Sequence, residues 1–507
     1  MKFSKELYVE QAHKLSKKLF SKEKSEHDAS DEITSEASDE ITSEASDAAG
    51  IPSKTGEVLM SSGSIHRTLL MYALPVLIMQ LLQQLYNIAD CAVIGRLCSG
   101  FGLAALGVSG LILAVHINFF IGFAVGVTSA VSYLFGAQNF EKLREMIATS
   151  IWLAAAAGLF LTLIGEQLGR NYLIWLSCPL EAFNDALLYL RICLWGLIPQ
   201  LVYNVANGVF RALGNTRTPL YWLAASAVLN IILNLLIVGI FDYGLAGAAL
   251  TTLVSQWALG IGMLWRLTRI DERFSFGASA AFLPIQELFS LLRLGIPSGM
   301  QAAFMSLSSL LIQINIDSFG PAAMAGMVLF AKIEGFLYYP AFAYGMALTG
   351  FIGQNFGAGR LDRVEEAMRI SRRTTIYSTI VICSALLLMS KPILGFFTED
   401  AATLSNALAA VYWIFPVYFL YSLNQVYIGG LKGLGETAVP MLSALIAYAI
   451  FRVVWCESLL PYWHDMAVIY SAYDVSFAIS LMILIPAYRR VFKHSEHPKS
   501  AHSALTA

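Results

Sequence analysis

Residues 69–95 read LLMYALPVLIMQLLQQLYNIADCAVIG. The run is apolar and long enough to cross a bilayer, whose ~30 Å hydrocarbon core takes about 20 helical residues. Yet it carries Gln80, Gln83, Gln84, Asn87 and, near its end, Asp90. An ionisable side chain inside a spanning helix costs roughly 3 kcal/mol on insertion scales, so it ordinarily faces a protein cavity and serves ion or substrate passage. The competing reading leaves Asp90 idle in the hydrated headgroup zone. On the first reading the polar side of this helix, Gln84 included, lines a cavity that the remaining helices enclose.

The composition agrees with a membrane protein. Of 507 residues 57% are hydrophobic and 13% charged, about half the usual charged share. Mean hydropathy is +0.63. A net charge of −2, with basic residues spread thinly, points to no nucleic-acid partner. The six Cys form no CxxC or Cys/His ligand pattern. Cys178 and Cys456 both fall near outer loops, where a disulfide is open to them, and the rest read as small packing residues.

Outward from the opening stretch, residues 1–60 read as a tail. Its first twenty residues are basic and mixed and fit a short surface helix. The octad ASDEITSE follows at 29–36 and again at 37–44. Such a segment is too polar to bury a core and reads as disordered. From residue 68 apolar blocks recur near 68–92, 104–134, 146–168, 186–210, 217–239, 245–267, 290–317, 322–351, 373–396, 408–430, 438–460 and 466–488, predicting twelve helices. Pro75, Pro199, Pro297, Pro340 and Pro416 lie inside these blocks and predict bends. Loops on the side of the N-terminus gather Lys142, Arg144, Arg217, Arg266, Arg269, Arg273, Arg360, Arg363, Arg369, Arg372 and Arg373, with Arg211 and Lys432 counted among them. The opposite side has Arg96, Arg170, Arg191 and Lys391. That bias predicts cytoplasmic termini.

The two halves echo each other. Phe135-Gly-Ala recurs as Phe356-Gly-Ala, and LGNTRTP at 213–219 recurs as LGETAVP at 434–440, both at an offset of 221 residues. Pro75 and Pro297 stand 222 apart. Six spans per copy keep the topology parallel, so the halves should form two lobes related by a pseudo-two-fold axis along the membrane normal, with a site between or within them. The expected division is 1–60 tail, 61–275 first lobe, 276–490 second lobe and 491–507 tail.

LPVLIMQLLQQLYNIADCAVIG, FGAQNFEKLREMIATS, RALGNTRTP, LNIILNLLIVGIFDYGLAGAALTTLVSQ and KIEGFLYYPAFAYGMALTGFIGQNFGAGR together resemble the multidrug and toxic compound extrusion family. The resemblance runs through residues 65–490. It implies two six-helix bundles around a V-shaped cavity and export of organic, often cationic, compounds against inward H⁺ or Na⁺. Asp90 matches the family's acid on the first helix, Asn230 an Asn on the fifth, and Thr252 a hydroxyl residue on the sixth. One turn beyond Asn230, where the pattern often has a second Asp, this chain has Asn234. Some family members carry coupling acids on the seventh and tenth helices. Here the seventh has Asp317 at its outer end and the tenth has none.

Depth supports the grouping independently. At about 1.5 Å per residue, Asp90, Asn234 and Thr252 all fall in the outer half of the first lobe. The i,i+4 spacing puts Asn230 and Asn234 on one helix face. A carboxylate with amide and hydroxyl oxygens suits a hard cation such as Na⁺, and the same single carboxylate could load and release a proton. The competing reading makes the two Asn interhelical glue. No cofactor is expected beyond the coupling H⁺ or Na⁺, and no metal site beyond a Na⁺ there.

Further polar groups read as lining the substrate cavity are Asn204 and Asn207 on the fourth span and Lys332 and Glu334 on the eighth. Glu334 stands near Tyr338, Tyr339 and Tyr344 and is the second-lobe choice for coupling or for a cationic substrate. Lys332 in an ion pair with another helix is the plainer alternative. Arg452 lies roughly 18 Å into the eleventh span and Asp474 roughly 12 Å from the other face. Those depths coincide and predict a structural ion pair.

The function expected is a secondary antiporter in a plasma membrane of bacterial type, working as a monomer on a small-molecule substrate within the lipid bilayer. A flippase for a lipid-linked oligosaccharide or other lipid is the alternative, and would want several Arg or Lys in the cavity. No HExxH, GxSxG or Gly-rich phosphate loop supports an enzyme.

Overall fold

The computed structural model describes residues 60–97, 102–176, 178–270 and 285–495. The acidic octads, the expected lobe boundary near 275 and residues 496–507 lie outside them. Ten helices among the described residues are long and apolar enough to cross a membrane singly, and two bent pairs bring the number to twelve. We number these spans α1 (Ile65–Leu97), α2 (Gly102–Gly136), α3 (Phe140–Trp175), α4 (Leu180–Leu194 with Leu197–Ala212), α5 (Arg217–Asn234, continuing through Leu235–Ile240) and α6 (Gly244–Leu267). The second lobe holds α7 (Ile285–Asp317), α8 (Pro321–Gly357), α9 (Leu361–Phe397), α10 (Ala401–Ile414 through Phe419–Gly433), α11 (Ala438–Ser443 through Phe451–Leu459) and α12 (Met466–Ser495). The last helix thus runs beyond the expected limit at 490.

Two of the five prolines expected to bend their helices stand at sharp bends. α4 turns by 46° just before Pro199, and α10 by 52° through a 3-10 turn holding Pro416. Pro75, Pro297 and Pro340 are instead carried inside continuous helices. Elsewhere α5 and α11 each contain a π-helical stretch, Leu235–Ile240 and Ala444–Ile450. Cys178 and Cys456 are both free thiols, so no disulfide joins them.

The sequence repeat is a repeat of corners. Gly214 and Gly435, 221 residues apart, take φ of 83° and 82°, left-handed values that a side chain would strain. The residue after each then caps the next span. Asn215 Oδ1 accepts from Thr218 N at 3.0 Å, and Glu436 Oε1 accepts from Ala438 N at 3.0 Å. Gln138 and Gly359 likewise share positive φ, 55° and 72°, at the other repeated corner.

Between lipid-embedded helices close packing and hydrogen bonds, rather than removal from water, supply most of the attraction. The outer surface is accordingly apolar, with Phe160, Leu388 and Met482 exposed. The lobes meet at the end carrying the described termini. There Gln354 on α8 donates to Ala212 O and accepts from Met60 N, both at 2.8 Å, and Ser129 on α2 donates to Lys432 O. Arg363 gathers Asn355 Oδ1 and the carbonyls of Met60, Ser62 and Gly63. Higher up α2 lies directly on α7: a Cβ on Gly126 would come within 2.6 Å of Leu294 O, and one on Gly299 within 2.8 Å of Phe119 O. Glycine is required for that approach. Arg211 and Lys432, read from sequence among the loop cations, end α4 and α10 and are buried, at 4% and 5% exposure. The loops there are short, and the last helical turns pack inside the seam.

Candidate transport site

Above this seam the lobes part around a cavity of about 940 Å³ that reaches toward the end opposite the termini. Every span except α3 and α9 contributes to its wall.

On the first-lobe side the cavity reaches Asp90. The long α1 brings its carboxylate to α5 and α6 at 9% exposure. Asn234 Nδ2 donates to Asp90 Oδ1 at 2.8 Å and to Asn230 Oδ1 at 3.0 Å. Thr252 Oγ1 donates to Asp90 Oδ2 at 3.4 Å, and Asn230 Nδ2 reaches Thr252 Oγ1 at 3.5 Å. The structure therefore brings Asp90, Asn230, Asn234 and Thr252 into one hydrogen-bonded group. Thr251, not anticipated from sequence, completes it by donating to Asn234 Oδ1 at 2.5 Å. The doublet Thr251-Thr252 was the available signal, since neighbours about 100° apart on a helix can address two sides of one cluster. The π turn starts immediately after Asn234, and such bulges concentrate at functional positions.

The polar atoms here are matched in kind. One acid meets neutral amide and hydroxyl donors, and Asn234 spends donor and acceptor alike. A second Asp at 234 would set two carboxylates at 2.8 Å and force a shared proton or a bound cation. With Asn234 the cluster has one carboxylate, met by neutral amide and hydroxyl donors.

The second-lobe wall is aromatic. Tyr338 stacks on Tyr421 with centroids 5.6 Å apart and planes 21° apart, and on Phe342 at 5.8 Å. Glu334 reaches the cavity and accepts from Tyr418 Oη at 3.0 Å. Gln84 also lines the cavity and donates to Tyr339 Oη across the lobes.

Three of the residues assigned to the cavity lie elsewhere. Lys332 is exposed on the outer face of α8, because two residues turn a helix by about 200° and Glu334 takes the inner face. Asn204 and Asn207 are buried beneath the floor. Gln200 marks the α4 wall of the cavity, and the two Asn sit about 6 Å and 10 Å further toward the closed seam.

Arg452 and Asp474 form no ion pair. The Arg452 guanidinium instead lies over Tyr473 at 4.2 Å and Tyr448 at 4.8 Å, and its Nε donates to Ser476 Oγ at 2.8 Å. Tyr473, Ser476 and Phe477 share one face of α12 by their i,i+3,i+4 spacing. Asp474 is about 100° off that face, and its Oδ1 has no hydrogen-bond partner among the described residues. Equal depth was right for both residues; the rotational setting of α12 keeps them apart.

The MatE family model matches residues 75–236 and 297–456, one copy in each lobe. The chain belongs to the MatE family. Among curated relatives of this family, the Bacillus subtilis protein named probable multidrug resistance protein YoeA is 24% identical over 450 residues, covering 86% of this chain and 96% of that protein. The Staphylococcus aureus multidrug export protein MepA is 23% identical, covering 76% and 85%. Among solved structures, an outward-facing conformation of a multidrug resistance MATE family transporter of the MOP superfamily matches with a TM-score of 0.79 at 20% identity, over 86% of this chain and 98% of that one. Another MATE structure, in a bent conformation, matches with a TM-score of 0.81 at 19% identity, over 88% and 98%. At such identity the structural likeness concerns the fold: twelve helices in two lobes.

Proposed function

We propose that this MatE-family chain is a secondary antiporter of the plasma membrane, with cytoplasmic termini, that exports amphipathic organic compounds carrying a positive charge in exchange for inward H⁺ or Na⁺. The observation that carries the reading is Asp90: a carboxylate in a closed set of neutral donors, opening on a 940 Å³ cavity whose far wall is stacked tyrosine. Loading Asp90 with a proton or a cation removes its charge and frees Asn234 and Thr252 to re-pair. That local change is the kind able to bias one lobe against the other. The aromatic wall suits flat cations through cation–π contact. Among the lining residues Arg452 is the basic one, which is sparse for the diphosphate of a lipid-linked sugar and favours the exporter over the flippase. The relatives' names, multidrug resistance and multidrug export, point the same way.

The test is ethidium efflux from energised cells at matched expression, with and without Na⁺. Asp90→Asn is expected to reduce efflux to the level of cells lacking the protein. Dependence on Na⁺ would name the ion. Efflux unchanged in the variant removes Asp90 from the mechanism.

A further inference from the structure

The second-lobe wall holds a cation that makes no ion pair among the described residues. Arg452 is 5% exposed and lines the cavity. Its Nε is spent on Ser476, and its other contacts are aromatic faces. Among the described residues no carboxylate lies within ion-pair distance of it, and its two terminal nitrogens have no protein acceptor. Guanidinium does not give up its proton in proteins, so the charge stands in the wall permanently. Rings over a guanidinium fix its plane but accept no hydrogen bond in that plane. The fork of N–H groups is left for something that enters the cavity.

An opposite charge stands on the neighbouring wall. Among the described residues Glu334 bonds to Tyr418 alone, and Lys332, its nearest basic residue in sequence, is exposed but not part of the cavity lining. Glu334 and Asp474 are each near enough to Arg452 to feel its charge, yet neither pairs with it. The stacked Tyr338 and Tyr421 add a flat apolar surface to the same wall. We infer that this wall is a subsite for flat aromatic zwitterions, the carboxylate of the ligand taken by Arg452 in a bidentate contact and its cationic group by Glu334. A buried charge left unpaired is costly, and a ligand that pairs it recovers that cost. Arginine–carboxylate forks are among the strongest polar contacts available for the purpose. The inference rests on the exporter reading for its direction of transport, but its content is selectivity: a carboxylate on the ligand should help rather than hinder.

The test uses a matched pair of dyes, rhodamine 110, a zwitterion with a free carboxylate, and rhodamine 123, its cationic methyl ester. Binding to the full chain in nanodiscs is read by fluorescence polarisation against empty nanodiscs. The wild type is expected to bind rhodamine 110 about tenfold more tightly, the scale of one hydrogen-bonded charge contact. Arg452→Gln should abolish that preference by weakening rhodamine 110 alone, with rhodamine 123 binding no weaker than in the wild type because a like charge has been removed, and Arg452→Lys should keep part of the preference. A wild type that binds rhodamine 123 as well as or better than rhodamine 110, or binds neither, overturns the proposal. So does an Arg452→Gln chain that elutes as folded protein and loses both dyes equally, since that is the mark of a packing role. Ethidium efflux reads the exporter reading separately: it can fail while the dye preference stands, and it can succeed with no preference at all.

Discussion

The Asp90 cluster and the Arg452 wall stand on opposite sides of one cavity, in lobes built from the same repeat, and they share almost no chemistry. At the repeat offset Asn230 answers to Phe451 and Asn234 to Trp455. At the α1–α7 offset of 222 Asp90 answers to Ile312. Where the first lobe has a carboxylate among amides and hydroxyls, the second has Phe451 packed on Trp455 at 5.3 Å and Ile312 at 1% exposure. Its own acid has moved to α8, where Glu334 answers to Leu113 of the first lobe. The backbone symmetry, down to paired positive-φ corners, is kept because it decides how the helices pack. The side chains facing the cavity depart from it, because a group pointing into open space is not constrained by how the helices pack. One side presents a carboxylate among amides and hydroxyls, the other a stacked aromatic face.

The sharpest break of this comparison is to give the second lobe the first lobe's acid. Ile312→Asp puts a carboxylate among buried aliphatic neighbours with no donor, and should cost on the order of 3 kcal/mol or more. In a thermal-unfolding assay of the purified chain it should melt well below Asp90→Asn, which only replaces a satisfied group by a near isostere. Equal melting of the two would mean the second lobe can also house an acid there. A smaller loss is expected from Tyr418→Phe, which strips Glu334 of its donor and leaves a carboxylate unsatisfied, at about 1–3 kcal/mol. The same assay reads it, and no change would show that water replaces the phenol.

On the polar side Thr251→Val removes the donor to Asn234 Oδ1 and should cost about 1 kcal/mol. Ethidium efflux should fall with it, since Asn234 then loses the partner that sets its amide against Asp90. Undiminished efflux would confine coupling to Asp90 and Thr252. The smallest effect is expected at Asp474→Asn, about 1 kcal/mol or less in either direction, because Asp474 is outside any ion pair and its buried Oδ1 has no hydrogen bond to lose. A loss of 3 kcal/mol or more there would restore the Arg452–Asp474 pair that their depths suggested.

Much of the molecule was legible in one dimension. Twelve spans follow from the length of apolar runs, and the two-lobe plan from a constant offset. The grouping of Asp90, Asn230, Asn234 and Thr252 was implied by the family resemblance and supported by depth and the i,i+4 spacing, because both are distances along a helix axis. What the chain alone could not decide is the angle at which each helix is turned about that axis. Glu334 and Lys332 are two residues apart and equally deep, but packing of α8 against its neighbours sends one to the cavity and the other to the exterior. Asp474 and Tyr473 are adjacent, and the setting of α12 gives Arg452 the ring and not the acid. Asn204 and Asn207 have the right composition for a cavity but lie under its floor, because the seam between lobes closes above them. Axial position is written in sequence spacing; rotational setting is settled by side chains from distant spans meeting in the packed bundle, and only the tertiary structure contains that contact.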